Sequence, residues 1–98
     1  MYSQIYILNN LEKIKQKYQN IGIQIVGVFG SVARDEAREN SDIDILYKTK
    51  KGVLNLYDNK LLLKKELQKL FNTKIDLANE KYIKPYAKEM IMKDLIYV

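Results

Sequence analysis

The apolar positions along the first third of the chain change their period. Between residues 4 and 19, Ile5, Leu8, Leu11, Ile14 and Tyr18 recur at spacings of three and four, which predicts one face of an amphipathic helix. Ser3 stands ahead of it as an N-cap, and Asn20-Ile21-Gly22 supplies a stop. From Ile23 to Phe29 the residues are β-branched and apolar at nearly every position, the pattern of a central strand covered on both sides. Gly30-Ser31 ends that strand, and Val32 to Arg38, short and polar, predicts a two-turn helix. Ile43 to Tyr47 reads as a second strand and Thr49 to Val53 as a basic loop. Leu56 to Phe71 predicts a long helix with Leu63, Leu67 and Leu70 on one side and Lys60, Lys64 and Lys65 among its polar positions. A short third strand, Lys74 to Leu77, and a last helix from Pro85 to about Asp94 complete the order. The sum is an α/β fold, a small mixed β-sheet flanked by helices, in a single domain spanning residues 1–98.

Composition narrows the chemistry. Hydrophobic residues are 47% and charged residues 30%, an ordinary globular balance. The chain has no histidine and no cysteine, which excludes disulfides, zinc fingers and every nucleophile or base of those types. A metal would need oxygen ligands, so magnesium, manganese or calcium are the candidates. No stretch reads as a signal peptide or as a membrane span, so a cytoplasmic protein without a membrane partner is expected.

The informative stretch is Gly30-Ser31, ten residues, then Asp42-Ile43-Asp44. Side chains alternate along a strand, so Asp42 and Asp44 share one face while Ile43 and Ile45 enter the core. Two carboxylates in an otherwise apolar strand are costly unless they are paired or bind a cation. Gly30-Ser31, where a buried strand turns into a helix, suits a phosphate, and Arg34 one turn later reaches a phosphate or an acid. Asp76, in Lys74-Ile75-Asp76-Leu77, joins the cluster if its strand neighbours that of Asp44. Three acids and a phosphate cradle describe metal-assisted phosphoryl or nucleotidyl transfer, with Asp76 able to take a proton. Alone, Gly30-Ser31 would be an ordinary tight turn with a helix cap. Average residue usage gives the combined spacing by chance in about one of a thousand chains this long.

At these residues the chain resembles the minimal nucleotidyltransferases, the MNT group of the DNA polymerase beta-like superfamily. Val28 to Arg34 resembles the group's strand and GS turn, Ser41 to Leu46 its metal-binding strand, and Lys74 to Leu77 its third-acid strand. Ile83 to Tyr86 and Leu95 to Val98 match the following segments. The resemblance implies a polymerase beta-like nucleotidyltransferase fold. It assigns Gly30, Ser31 and Arg34 to the nucleotide. It assigns Asp42, Asp44 and Asp76 to Mg²⁺, as two ions, and to catalysis. It implies ATP as donor and a helical HEPN ribonuclease toxin as acceptor, so that AMP transferred to a tyrosine neutralises the toxin. One departure is Asp35, where many relatives have glycine. The alternative is a non-catalytic antitoxin that masks the toxin by forming a complex. So small a domain leaves the acceptor to supply recognition surface, which favours a macromolecule and a homo- or hetero-oligomer.

Net charge enters last. The excess is +5, and residues 48–74 alone hold eight lysines against two acids, a surplus of six. Placed between the Asp44 and Asp76 strands, this segment is expected to meet the triphosphate at its near end and an acidic toxin face along its helix. A nucleic-acid surface is the weaker reading, because the lysines show no interleaved aromatics at stacking positions.

Overall fold

The computed structural model describes residues 2–98. Helix α1, Gln4–Gln19, opens with the Ser3 hydroxyl accepting from the Tyr6 N–H at 3.3 Å, the expected cap. Its buried stripe departs from the expected one at its start, where Ile7 replaces Ile5, while Leu8 packs on the core as expected. Ile7, Leu11 and Tyr18 are buried and Ile14 packs beside them, whereas Ile5 is 68% exposed. Spacings of three and four also fit positions 7, 11, 14 and 18, and the sheet beneath the helix selects that set.

Strand β1, Ile23–Phe29, pairs antiparallel with β2, Ile43–Thr49, and on its other side with β4, Ile96–Tyr97. Strand β3, Ile75–Asn79, lies parallel to β2, which gives the order β3-β2-β1-β4 and the mixed sheet the sequence predicts. β1 is buried on both faces, as a central strand should be. β4 was not expected from the sequence. It approaches because residue 27 is glycine, where a β-carbon would collide with the Ile96 carbonyl oxygen.

β1 carries a bulge: register slips between Ile25 and Gly27, leaving Val26 as the extra residue. Ile25 then faces Tyr47 and Val28 faces Ile45, all four buried on the same side of the sheet. Without the extra residue, Val28 would fall on the opposite face from Ile25. Helix α3, Leu56–Phe71, joins α1 on this core side through Leu63, Leu67 and Phe71. Burying a side chain of this size stabilises the fold by about 1.5–3 kcal/mol.

The short helix α2 covers Gly30–Ala33, earlier and shorter than the predicted Val32–Arg38. It ends because Asp35 takes a left-handed backbone, φ 57°. Aspartate tolerates that region better than most residues, so Asp35 performs the turn without a glycine. After β3 a 3₁₀ turn, Glu80–Tyr82, leads to α4, Pro85–Asp94, which contacts β1 and α2 and has no buried residue. Among the described residues no helix is long and apolar enough to cross a membrane.

The parallel pairing corrects the placement of the basic segment. The chain leaves β2 at the end opposite Asp44 and returns to β3 through α3. The loop of residues 50–53 therefore lies about five strand residues, about 17 Å, from Asp44, and does not meet a nucleotide held there. Lys74 is the lysine of this segment that returns to the acid end, where its carbonyl accepts from the Ile43 N–H at 3.0 Å.

Candidate active site

Side chains alternate between the two faces of β2, and Leu46 is buried on the face that carries Asp44. Ile43, Ile45 and Tyr47 enter the core, and Asp44 stands half-buried on the other face. Asp42 is exposed immediately before the strand. Asp44 is the junction of the site. Across the parallel pair it faces Asp76 on β3, and across the antiparallel pair it faces Phe29, the residue before Gly30. Asp76 is exposed on the outermost strand.

The electrostatics follow from that register. Burial, and then the negative charges of Asp76 and Asp42, push the Asp44 carboxyl up to about 6. A hydrogen bond with Asp76 adds to the rise, and the Arg34 charge opposes it. The pocket of acids is therefore short of positive charge. Among the described residues no three acidic side chains converge into a ready-made metal cage. What the structure brings together is the pair Asp44–Asp76, with Asp42 near enough to act on it.

Gly30 adopts φ 73°, and a β-carbon there would strike the Asp44 carboxylate. Two separate constraints, backbone sign and space, thus demand glycine at this position. Ser31 follows it, half-exposed, in the first turn of α2. Arg34 points away from a free role: its Nη1 lies 2.6 Å from Asp94 Oδ2 on α4 and its Nε 3.1 Å from Glu36 Oε1. This pairing ties the turn after β1 to the end of α4. Beside Gly30 opens a cleft of about 230 Å³ lined by Phe29, Arg34, Ala87, Met90, Ile91 and Asp94. The α4 part of this wall was not predicted. Nothing in the linear pattern of Pro85 to Asp94 marks a ligand face, and only the pairing of Arg34 with Asp94 shows which end of the helix meets the site.

Comparison with known proteins places this geometry. Residues 9–98 match the nucleotidyltransferase domain family. The chain belongs to that family. A Methanocaldococcus jannaschii protein provisionally named a protein adenylyltransferase is 39% identical over 94 residues, covering 94% of this chain and 91% of the relative. A solved structure described as a minimal nucleotidyltransferase superposes with a TM-score of 0.83 at 29% identity, covering 99% of this chain and 97% of that one. A toxin–antitoxin crystal structure with AMP-PNP superposes at 0.69 with 20% identity, over 90% of this chain and 71% of that one, and shows the shared fold. The small mixed sheet with flanking helices is thus the architecture of this nucleotidyltransferase family, and the protein is an enzyme of that class.

Proposed function

We propose that this nucleotidyltransferase moves AMP from ATP to a tyrosine hydroxyl of a HEPN ribonuclease toxin and so acts as its antitoxin in the cytoplasm. The observation that carries the reading is the meeting of Asp44 and Asp76 beside the close-packed Gly30 turn. The provisional name of the Methanocaldococcus jannaschii relative supports protein adenylylation, and the toxin–antitoxin structure with AMP-PNP supports a toxin partner and a nucleotide.

The donor set fits magnesium. That ion takes oxygen ligands and is usually held by one or two carboxylates together with substrate phosphates, not by a closed protein cage. Asp44 and Asp76, with Asp42 at the mouth, offer such a set, and the raised Asp44 carboxyl marks a place where a cation is welcome. Magnesium, when bound, supplies charge neutralisation on the triphosphate and lowers the pKa of the attacking hydroxyl.

The chain's own residues do the rest. Gly30 and Ser31 hold phosphate at the turn, and the missing β-carbon lets the Asp44 carboxylate lie against that turn. Arg34, already paired with Asp94, fixes the turn and adds positive charge near Asp44. Asp76, exposed on the edge strand, takes the tyrosine proton as the hydroxyl oxygen bonds to the α-phosphorus and the bond to pyrophosphate breaks. Incubating the protein with α-labelled ATP, magnesium and a cognate HEPN toxin is expected to label the toxin on tyrosine.

A masking role without transfer is favoured by one feature, the large apolar side chains left exposed on α4, Tyr86 at 70% and Met90 at 69%. A tight complex that neutralises the toxin with no label transferred would establish masking in place of catalysis.

A further inference from the structure

The end of β2 and β3 away from the acids gathers five lysines, Lys48, Lys50, Lys51, Lys81 and Lys88. Two adjoining clefts there, of about 500 and 420 Å³, share Thr49, Asn79 and Lys81. Lys48 and Lys88 wall the larger one over a floor of Ile83 and Pro85, and Lys50 and Lys51 wall the smaller beside Tyr82. Glu80 is the single acid lining them, 3.5 Å from the Lys48 Nζ and 3.8 Å from the Lys88 Nζ. Helix α4 runs from this basic end to the candidate active site. Its first residue, Pro85, lines the larger cleft, and Met90, further along, lines the cleft beside Gly30. Tyr86 and Met90, one turn apart, stand exposed on one face of the helix, and Tyr82 is 76% exposed just ahead of it.

We propose that the lysine clefts and the outer face of α4 form the docking surface for the acceptor protein, and that they take an acidic segment bearing apolar anchors. The inference rests on the transferase reading and adds the chemistry of the partner's contact. Lys48 and Lys88 already flank a carboxylate, that of Glu80, which shows that this cleft accommodates one, while Lys50, Lys51 and Lys81 line the clefts around them. A continuous phosphate backbone would instead meet Glu80 at the centre of the patch. It would then meet the acids about 13 Å along the same strand, the span from Lys48 to Asp44. Exposed tyrosine and methionine beside a charged rim are the composition of protein–protein contacts. Attraction between the lysines and an acidic segment orients the partner, so that a tyrosine beyond it reaches Asp76.

The test uses fluorescence anisotropy on the whole protein without ATP or magnesium. The probes are a Glu/Asp-rich peptide with leucines and one tyrosine, the same peptide with lysines for its acids, and an oligouridylate of equal length. The acidic peptide is expected to bind at least about tenfold tighter than the basic one at low salt, and to weaken as salt rises. Lys81→Glu with Lys88→Glu is expected to cost about tenfold of that affinity while the melting temperature stays within about 2 °C, and Tyr82→Ser with Tyr86→Ser is expected to weaken binding without changing its salt dependence. Equal binding of the two peptides, unchanged affinity in both variants, or tighter binding of the oligouridylate overturns the proposal. Because no transfer is read, failure of the transferase reading, seen as an unlabelled toxin, is scored in a separate experiment.

Discussion

The carboxylate of Asp44 fills the space that a β-carbon on Gly30 would occupy. The turn after β1 and the acid of β2 are therefore one unit, and neither can change shape alone. Gly30→Ala meets both a left-handed backbone and that carboxylate. It is expected to lower stability by about 1–2 kcal/mol, read as a lower melting temperature, and to reduce AMP transfer by more than about tenfold. A variant with wild-type turnover would separate the turn from the chemistry.

Asp44 faces Asp76 and is held half-buried against it, with its carboxyl pushed up to about 6. Asp44→Asn removes the repulsion. The metal-free variant is expected to melt higher than the parent at neutral pH, by the equivalent of about 1 kcal/mol after solvent screening. Magnesium with ATP is expected to raise the melting temperature of the parent and not of the variant, and transfer is expected to be lost. A magnesium response that survives in Asp44→Asn would remove this carboxylate from the metal's ligands.

Asp76 is read as the proton acceptor, so its removal should act on turnover more than on nucleotide binding. Asp76→Asn is expected to lower kcat by about 10²–10⁴-fold while ATP affinity, measured by calorimetry, changes by less than about tenfold. Equal losses in both would make Asp76 a nucleotide-binding residue instead.

The core offers a pH-dependent contact remote from the site. Glu66 accepts from the Tyr18 hydroxyl at 2.5 Å and pairs with the Lys17 Nζ at 2.7 Å. Burial alone would raise the Glu66 carboxyl, but the hydrogen bonds from Lys17 and Tyr18 outweigh it and hold it below the usual range. A carboxyl lowered by folding stabilises above its unfolded pKa, and that contribution fades as pH falls through the folded value. Glu66→Gln is therefore expected to cost about 1 kcal/mol at pH 7 and progressively less below about pH 4, in melting curves across that range. Tyr18 runs the other way: burial, then its bond to Glu66, raises the phenol, so its share is kept up to high pH.

Ile7 and Ile5 give a direct check of the α1 stripe. Ile7 is fully buried and Ile5 is 68% exposed. Ile7→Ala is expected to cost about 2–5 kcal/mol and Ile5→Ala less than about 0.5 kcal/mol by denaturant titration.

Most of the fold was legible because periodicity reports burial, and the strands of Ile23–Phe29 and Ile43–Thr49 are buried in the pattern they spell. The site was legible for a related reason: Asp44 breaks an apolar strand, and such a break is costly without a purpose. What stayed hidden depends on distant partners. Ile7 and Ile5 are equivalent until a sheet lies under the helix. β4 exists because Gly27 lets it approach, a contact between residues 27 and 96 that no local window contains. The direction of the β2–β3 pairing decided where the lysines went, and the sequence of the two strands does not state whether they run parallel. The α4 wall of the cleft beside Gly30 came from the long-range pairing of Arg34 and Asp94.

Helix α4 has no buried residue, yet it borders both the cleft beside Gly30 and the lysine cleft. Its outward side chains can be rewritten with little penalty to folding, while the acids sit on strands that cannot. A lineage could thus exchange one recipient for another by drift in a single ten-residue segment, leaving the reaction itself untouched.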